Sequence, residues 1–302
     1  SPFLDKKTPQ VIGEQSVALA RAVDYRSAGT VEFIVDKDKN FYFLEMNTRL
    51  QVEHPVTEMV YGVDLVEQMI RIAAGEPIAL SQEEICADGW AIECRLYAED
   101  PYRNFMPSIG RLVRCQPPKQ SDTVRVDTGV VEGSEITVFY DPMIAKLITR
   151  GQDRAAAISA MAAALDSYYV RGIRHNLSFL SALITHPRFV EGRLTTALID
   201  EEYPDGFAGA PREGIVLEAL LAASILMHHR RVRHEGSIDG QLRDFQSTLG
   251  VDWVVCLEGT HHEVTVADVE DGFEVSLGEQ LIAVRRKSRA IPARAVVLAV
   301  VV

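Results

Sequence analysis

Hydrophobic and polar positions recur along the chain in blocks whose period changes several times. A helix-period stripe that begins after Thr8 and Pro9 predicts a helix ending near residues 27–29. Two alternating runs, VEFIV and FYFLEMN, flank the polar turn KDKN and predict a β-hairpin. Asp64, with Glu67 three residues later, predicts the N-cap and capping partner of a second helix.

From residue 89 the pattern changes to short strands separated by Gly and Pro turns. The segments WAIECRLYAEDP, IGRLVRCQPP, DTVRVDTGVVEG and EITVFYDPMIAKLITRG predict a mostly antiparallel, curved sheet. Asp153 and Asn176 then each precede a helical pattern and are predicted to cap it. The apolar stripes of these helices are predicted to be core; they comprise Ile158, Met161, Leu165 and Tyr168 in one, and Leu177, Leu180 and Ile184 in the other.

The last third of the chain begins with EEYPDGFAGAPREG, which has the composition of an interdomain linker. One long helix, IVLEALLAASILMHHRRVR, follows; its adjacent His228 and His229 point to different faces and predict a solvated helix end rather than a metal site. Period-two segments with hairpin turns then predict a small β-barrel or sandwich, and AVVLAVVV predicts a core strand. RKSRAIPARAVV breaks the alternation, which leaves a loop or missing residues near 289–292 as open alternatives.

Composition narrows the classes of function. The 302 residues are 47% hydrophobic and 25% charged, and no apolar run approaches the roughly 20 residues of a membrane helix. A net charge of -12 argues against a nucleic-acid partner, which would need a basic surface. The four cysteines are isolated and predict neither a zinc site nor a disulfide framework, as expected in a reducing compartment. Because residue 1 is Ser, we expect the numbering to begin inside a longer protein.

The candidate chemistry lies in FYFLEMNTRLQVEHPVTE. A four-residue KDKN loop would pair Asp36 with Phe41, Ile34 with Phe43, and Glu32 with Glu45. Two opposed glutamates, with Cβ atoms about 5 Å apart, destabilise a sheet unless a cation lies between them. Asn47 shares their face and offers a third oxygen, so the set suits Mg²⁺ or Mn²⁺.

The same face continues through Arg49, Gln51 and Glu53. An arginine between an amide and a glutamate is equipped to hold a planar anion and to take its proton. The alternative is an ordinary solvated strand, which gives no reason for two glutamates to oppose each other.

EMNTRLQVEHPVTE, with AGTVEF before it and ECRLYAEDP after it, resembles biotin carboxylases. These are ATP-grasp enzymes, and the chain is most similar to the α subunits of acyl-CoA carboxylases of the propionyl-CoA carboxylase type. The resemblance runs through residues 1 to about 209; the later segment matches only in its order of a long helix and a β-domain. It implies an α+β fold with the C-terminal part of an ATP-grasp domain at 1–80, a biotin carboxylase C-terminal domain at 81–205, and a long helix with an antiparallel β-barrel for subunit interaction at 206–302.

The resemblance also implies roles for the polar residues. Metal ions that bridge the ATP phosphates would be held by Glu32, Glu45 and Asn47. Bicarbonate would be held by Arg49, Gln51 and the Val52 backbone. Glu53 would be the base that deprotonates bicarbonate for attack on the γ-phosphate, and Arg95 would stabilise the biotin enolate. From the residues alone, a cross-strand salt bridge from Arg95 to Glu93 or Glu99 is the preferred interpretation.

The implied cofactors are ATP, Mg²⁺ or Mn²⁺, and biotin attached to a carrier domain, with bicarbonate as substrate. The implied partners are that carrier domain and a carboxyltransferase β subunit in an α₆β₆ assembly that converts propionyl-CoA to methylmalonyl-CoA. We find no glycine-rich loop and no biotinyl-lysine motif, so we expect a fragment that is inactive alone. The expected compartment is the bacterial cytoplasm or the mitochondrial matrix, the former being favoured.

Other readings stay open. The chain could be a non-catalytic module that assembles α and β subunits, or part of a methylcrotonyl-CoA or acetyl-CoA carboxylase. A carbamoyl-phosphate synthetase is disfavoured by QVEHPVTE and ECRLYAED, and a pyruvate carboxylase by the short β-domain that follows.

Overall fold

The computed structural model describes residues 3–4, 7–78, 80–211, 213–236, 250–257, 259–269, 272–277, 280–286 and 297–301. The chain divides into two compact units, Ser1–Gly209 and Ala210–Val302. The question of missing residues near 289–292 lies outside the described residues. The finer division into three domains stays a prediction.

The helices and strands of the first unit alternate along its whole length. They are α1 (Thr8–Ala22), β1 (Thr30–Val35), β2 (Phe41–Asn47), α2 (His54–Tyr61), α3 (Leu65–Ala73), β3 (Trp90–Tyr97), β4 (Glu99–Asp100), a 3₁₀ turn (Pro101–Arg103), β5 (Met106–Pro107), β6 (Gly110–Arg111), β7 (Arg114–Gln116), β8 (Val124–Thr128), β9 (Glu135–Ile136), β10 (Met143–Gly151), α4 (Arg154–Ser167), β11 (Tyr169–Arg171), α5 (Leu177–Thr185), α6 (Pro187–Glu191) and α7 (Leu198–Glu202).

Local chain chemistry sets several of these boundaries. Asp64 and Asp153 cap α3 and α4 as predicted, each accepting a backbone N–H at 2.8 Å. The Glu67 side chain was predicted to complete the first cap, but it accepts from Arg71 one turn later instead. The α1 helix ends at Ala22, earlier than predicted, because the backbone turns at Asp24 with a φ of 47°.

The core of the first unit lies between a three-stranded antiparallel sheet, in the order β3-β10-β8, and α4. The predicted stripe of α4 is buried throughout, and Met161 has no exposed surface. One sheet face supplies Leu96 and Leu147, each 1% exposed, to this core. The opposite face carries charged side chains, and α2 packs against the β3 and β10 strands there.

The second unit consists of the long helix α8 (Gly214–Gly236) and strands β12 (Asp252–Leu257), β13 (Thr260–Val269), β14 (Gly272–Leu277), β15 (Gln280–Arg286) and β16 (Val297–Val301). Each strand pairs antiparallel with its neighbour in sequence. Its core contains Leu221 and Ile225 from α8, with Val264, Val266 and Val275 from the sheet. Closure into a barrel stays a prediction.

The histidine pair of α8 differs from the prediction. His228 is exposed, but His229 is only 3% exposed, and its ring lies 5.5 Å from that of Trp253. The expected solvated end is therefore wrong for His229, because the aromatic side chain from β12 covers it. Among the described residues, no group of three or more His, Cys, Asp or Glu could hold a metal ion. No helix in the described ranges is long and apolar enough to cross a membrane.

The core packing predicts the effect of a cavity at Leu147. We expect Leu147→Ala to lower the free energy of unfolding of the first unit by about 2–5 kcal/mol, since the methyl groups lost leave unfilled space. Urea unfolding followed by Trp90 fluorescence in a Trp253→Phe background checks this. Val113→Ala, at a position 61% exposed, is the matched control and should change the value by about 0.5 kcal/mol or less. Equal effects of the two substitutions would contradict the assigned core.

Candidate functional site

The hairpin of β1 and β2 places two carboxylates opposite each other. Glu32 pairs directly with Glu45 in the antiparallel register, as predicted. Asn47 Nδ2 donates to Oε1 of both glutamates, at 2.8 Å and 3.1 Å. These hydrogen bonds bring the predicted metal-binding side chains together on one face.

The turn end of this hairpin differs from the prediction. Val35, not Asp36, pairs with Phe41, and Phe33 pairs with Phe43. Asp36 instead closes the turn, where its Oδ1 accepts from the backbone N–H groups of residues 38 and 40 at 2.9 Å each. A bulge at Leu44 takes up the extra residue and so keeps the two glutamates in register.

The predicted anion-holding residues join the same network. Gln51 Nε2 donates to Glu32 Oε1 at 2.9 Å. Arg49 donates from Nη2 to Asn47 Oδ1 at 3.2 Å and from Nη1 to Gln51 Oε1 at 3.1 Å. Five side chains predicted to share one face are therefore linked in a continuous hydrogen-bond network.

The donor set fits a hard divalent cation. Two carboxylates and a nearby amide oxygen are ligands that Mg²⁺ or Mn²⁺ accepts, and so few protein ligands leave positions for phosphate oxygens. Asn47 presents its nitrogen to the carboxylates here, but the two ends of an amide exchange by rotation about χ2. Glu32, Glu45 and Asn47 would therefore hold such an ion, with Asn47 turned to present Oδ1.

Glu53 lies where the strand direction ends and α2 begins. Pro55 sits in the first turn of this helix, and Gly62 ends it with a φ of 67°. The Glu53 side chain makes no capping hydrogen bond. Its Oε2 instead accepts from Arg95 Nη2 at 2.7 Å, and Arg95 Nε lies 3.5 Å from Glu93 Oε1. An ion pair with Glu93 is thus present, but it lies within β3 and is not the cross-strand bridge that the residues alone suggested; it accompanies a contact with the predicted base.

Arg95 belongs to a charged surface, which we call the polar sheet face. Opposed residues in adjacent antiparallel strands point to the same side of a sheet. In the observed register Arg95, Lys146 and Asp127 form one row, and Glu93, Ile148 and Arg125 form the next. The polar sheet face consists of the charged members of these rows, namely Glu93, Arg95, Arg125, Asp127 and Lys146.

The Asn176 side chain is hydrogen-bonded to the backbone of β3, the strand that carries Arg95. It was predicted to cap α5, but its side chain makes no capping hydrogen bond. Instead Oδ1 accepts from Tyr97 N at 2.9 Å, and Nδ2 donates to Arg95 O at 3.1 Å. An amide can satisfy a strand donor and acceptor together, which explains why β3 takes this side chain from the helix.

Three family models match successive parts of the chain. Residues 1–81 match the family described as carbamoyl-phosphate synthase L chain, ATP binding domain. Residues 93–201 match the biotin carboxylase C-terminal domain, and residues 220–301 match the propionyl-coenzyme A carboxylase BT domain.

Two similar proteins are propionyl-CoA carboxylase alpha chains. The propionyl-CoA carboxylase alpha chain of Ruegeria pomeroyi is 54% identical over 298 residues, which cover 92% of this chain and 44% of the relative. The mitochondrial propionyl-CoA carboxylase alpha chain of Homo sapiens is 58% identical over 210 residues, covering 69% of this chain and 29% of the relative. The chain belongs to the biotin carboxylase family. It spans less than half the length of these relatives.

Solved biotin carboxylases share the fold. The biotin carboxylase domain of Hydrogenobacter thermophilus 2-oxoglutarate carboxylase, solved with MgADP, ADP and bicarbonate, aligns with a TM-score of 0.65 and 43% identity, covering 66% of this chain and 44% of that one. The Campylobacter jejuni biotin carboxylase, solved as a β,γ-ATP complex, aligns with a TM-score of 0.64 and 40% identity, covering 67% and 44%. The predicted α+β class, with the later part of an ATP-grasp domain followed by the biotin carboxylase C-terminal domain, is thereby confirmed.

Two cations next to the candidate site were missed by sequence reasoning. Arg125 donates from Nε and Nη2 to both oxygens of Asp127 at 2.8 Å, and from Nη1 to Glu58 Oε2 at 2.7 Å. Lys146 donates to the Val52 carbonyl at 3.0 Å. The alternation of charged and apolar residues in VRVDT and in MIAKLI was a usable signal, because it places both cations on a polar face. The same pattern does not show that this polar face contacts residues 51–58.

Glu58 joins α2 to both the polar sheet face and α3. Its side chain is 8% exposed, and while Oε2 accepts from Arg125, Oε1 accepts from Leu65 N at 2.8 Å. The Arg125 guanidinium is bound by two carboxylates, and its pKa is raised above the ordinary value, chiefly through its hydrogen bonds to Asp127. A buried carboxylate in such a pair depends on its partner to remain stable.

Removing that partner gives a testable stability effect. We expect Arg125→Met to lower the unfolding free energy of the first unit by about 1–3 kcal/mol, because the Glu58 charge stays buried without its cation. A second substitution, Glu58→Gln, made in the Arg125→Met background, should recover part of this loss. Urea unfolding of the four combinations measures the coupling. Strictly additive effects would contradict a direct pair.

Burial of Glu93 makes the stability of the folded first unit depend on pH. Its side chain is 5% exposed, and burial raises the pKa of its carboxyl despite the nearby charges of Lys146 and Arg95. An acid with a raised folded-state pKa favours the folded state below its ordinary value of 4.5, and that contribution is lost as the pH rises.

Glu93→Gln should therefore change the pH profile of stability. Relative to that of the parent, the free energy of unfolding of the variant should increase as the pH rises from 4 to 7, since the parent must then bury a charged carboxylate and the variant has no charge to bury. Urea unfolding at several pH values measures the difference. Glu135→Gln, at an exposed position, should show no such trend. A difference for Glu93→Gln that is constant with pH would refute the role of its ionisation.

Proposed function

We propose that this chain supplies the metal-binding, bicarbonate-binding and proton-transfer face of a biotin carboxylase, in the α subunit of a propionyl-CoA carboxylase. The observation that carries the proposal is one network. Glu32, Glu45, Asn47, Arg49 and Gln51 are linked by hydrogen bonds, and two residues later Glu53 is held by Arg95.

The two glutamates would take part in phosphoryl transfer through a bound metal ion. A Mg²⁺ or Mn²⁺ ion held by Glu32, Glu45 and Asn47 would offset the charge that develops on the ATP phosphates. Because the chain spans less than half the length of the relatives it matches, ATP turnover is to be measured on the full-length gene product. This chain contributes the acidic side of the phosphate site.

Bicarbonate would lie between the strand end and the start of α2. The guanidinium of Arg49 and the amide of Gln51 match a planar anion, and the Val52 N–H adds a backbone donor. Glu53 would take the bicarbonate proton as the freed oxygen attacks the γ-phosphorus and ADP leaves. The carboxyphosphate so formed breaks down to CO₂ and phosphate.

Arg95 is our candidate for the carboxyl-transfer step. Biotin, carried on another domain, supplies the nitrogen that accepts CO₂. The fixed guanidinium of Arg95 contacts Glu53 and is 37% exposed, so it can also face an acceptor and stabilise negative charge there. Arg125 lies on the same polar sheet face but is engaged by two carboxylates.

The acyl substrate and partners follow the similarity to propionyl-CoA carboxylase alpha chains. That similarity to the bacterial relative extends over 92% of the chain, and residues 220–301 match the BT domain of that enzyme. We propose that the second unit docks a carboxyltransferase β subunit in an α₆β₆ assembly, and that the first unit delivers carboxylated biotin for conversion of propionyl-CoA to methylmalonyl-CoA. A bacterial cytoplasmic or mitochondrial matrix setting is proposed on the same basis.

The test is ADP release by the full-length gene product with ATP, Mg²⁺ and bicarbonate, with and without free biotin. We expect biotin to stimulate release in the parent protein. Glu53→Gln should lower the bicarbonate-dependent rate by about 10²-fold or more, because it keeps the side-chain shape but removes the proton acceptor.

Glu83→Gln, at an exposed position, is the matched control and should retain the parent rate. Parent-like turnover in Glu53→Gln would rule out Glu53 as the base. A folded parent protein without biotin stimulation would favour the assembly-module alternative.

A further inference from the structure

We infer that Lys146 is a positioning residue, which acts through the Val52 carbonyl to hold the backbone turn that carries Gln51, Val52 and Glu53. Lys146 lies in β10, 94 residues from Val52 in sequence, and its Nζ donates to Val52 O at 3.0 Å. The catalytic part of the inference rests on the proposed function; the structural part does not.

The main partner of the Lys146 ammonium is the Val52 carbonyl and not a carboxylate. The Lys146 side chain is 11% exposed, so its ammonium must find partners within the protein. Asp127 lies 3.6 Å from Nζ, but both of its oxygens already accept from Arg125 at 2.8 Å. The shorter contact of the ammonium is therefore with a neutral main-chain carbonyl in the functional segment.

A second tie acts on the neighbouring peptide. His54 Nδ1 lies 2.7 Å from Gln51 O, and His54 N donates to the same oxygen at 3.2 Å. Because a carbonyl oxygen can only accept, Nδ1 must carry the hydrogen. His54 thus fixes the Gln51–Val52 peptide, whose N–H is the proposed bicarbonate donor, while Lys146 fixes the Val52–Glu53 peptide that leads to the base.

The turn at Val52 and Glu53 buries little apolar surface. Val52 is 37% exposed, and Glu53 is exposed as well. A segment with little buried apolar surface depends on its hydrogen bonds for a defined position. Positional error of about 1 Å in a catalytic group can cost about 10²-fold in rate, so a tether from a rigid strand has a direct use here.

The inference predicts a specific kinetic pattern. Lys146→Met keeps the length of the side chain but removes its donors. In the full-length gene product we expect kcat/KM for bicarbonate to fall about 10-fold or more, with KM for ATP changed less than 2-fold, because the turn carries bicarbonate contacts and the glutamates carry the phosphate side. Lys146→Arg, which can still donate to a carbonyl, should recover part of the loss.

A second measurement does not depend on activity. Backbone hydrogen exchange of a peptide covering residues 48–58 should be faster in Lys146→Met than in the parent, and Lys146→Arg should restore protection in part. Lys119→Met removes an exposed lysine and is the control for both measurements.

The outcomes separate the two proposals. Unchanged exchange in Lys146→Met would overturn the tether, even if the parent protein is a working carboxylase. Faster exchange with unchanged bicarbonate kinetics would overturn its catalytic use. A parent protein without bicarbonate-dependent ADP release would refute the proposed function, and exchange would still decide whether Lys146 holds the turn.

Discussion

The candidate site depends on the contact between the 51–58 segment and the polar sheet face. Three cations of the sheet meet this segment: Arg95 binds Glu53, Arg125 binds Glu58, and Lys146 binds the Val52 carbonyl. The hairpin that carries Glu32 and Glu45 is a two-stranded sheet with little burial of its own, and such sheets are only marginally stable. Its end is therefore positioned by a neighbouring sheet whose other face is a packed core.

This arrangement makes the same residues serve stability and chemistry. Glu93 and Glu58 are buried carboxylates that the fold tolerates because guanidinium and ammonium groups lie beside them. Charged rows on a sheet surface would ordinarily be solvated. Here α2 packs against β3 and β10 and covers these rows in part, so the ion pairs also fix the direction of their side chains.

Much of the architecture could be predicted from local patterns, and the failures have physical causes. The caps at Asp64 and Asp153, the stripe of α4 and the Glu32–Glu45 pairing depend on near neighbours, which a sequence displays. Asn176 and His229 were interpreted wrongly because distant partners, the β3 backbone and Trp253, compete for them. Arg125 and Lys146 were missed for the same reason, since their partners lie 67 and 94 residues away.

The bulge at Leu44 separates two parts of the hairpin that would otherwise be rigidly linked. In a regular hairpin, adding or deleting one turn residue shifts every pair beyond it and turns each side chain to the opposite face. With an irregularity between the turn and the two glutamates, the turn can vary in length by one residue while the bulge forms or disappears in compensation. The tip of the hairpin is thus free to diverge in evolution, and the carboxylate pair can remain opposed while it does so.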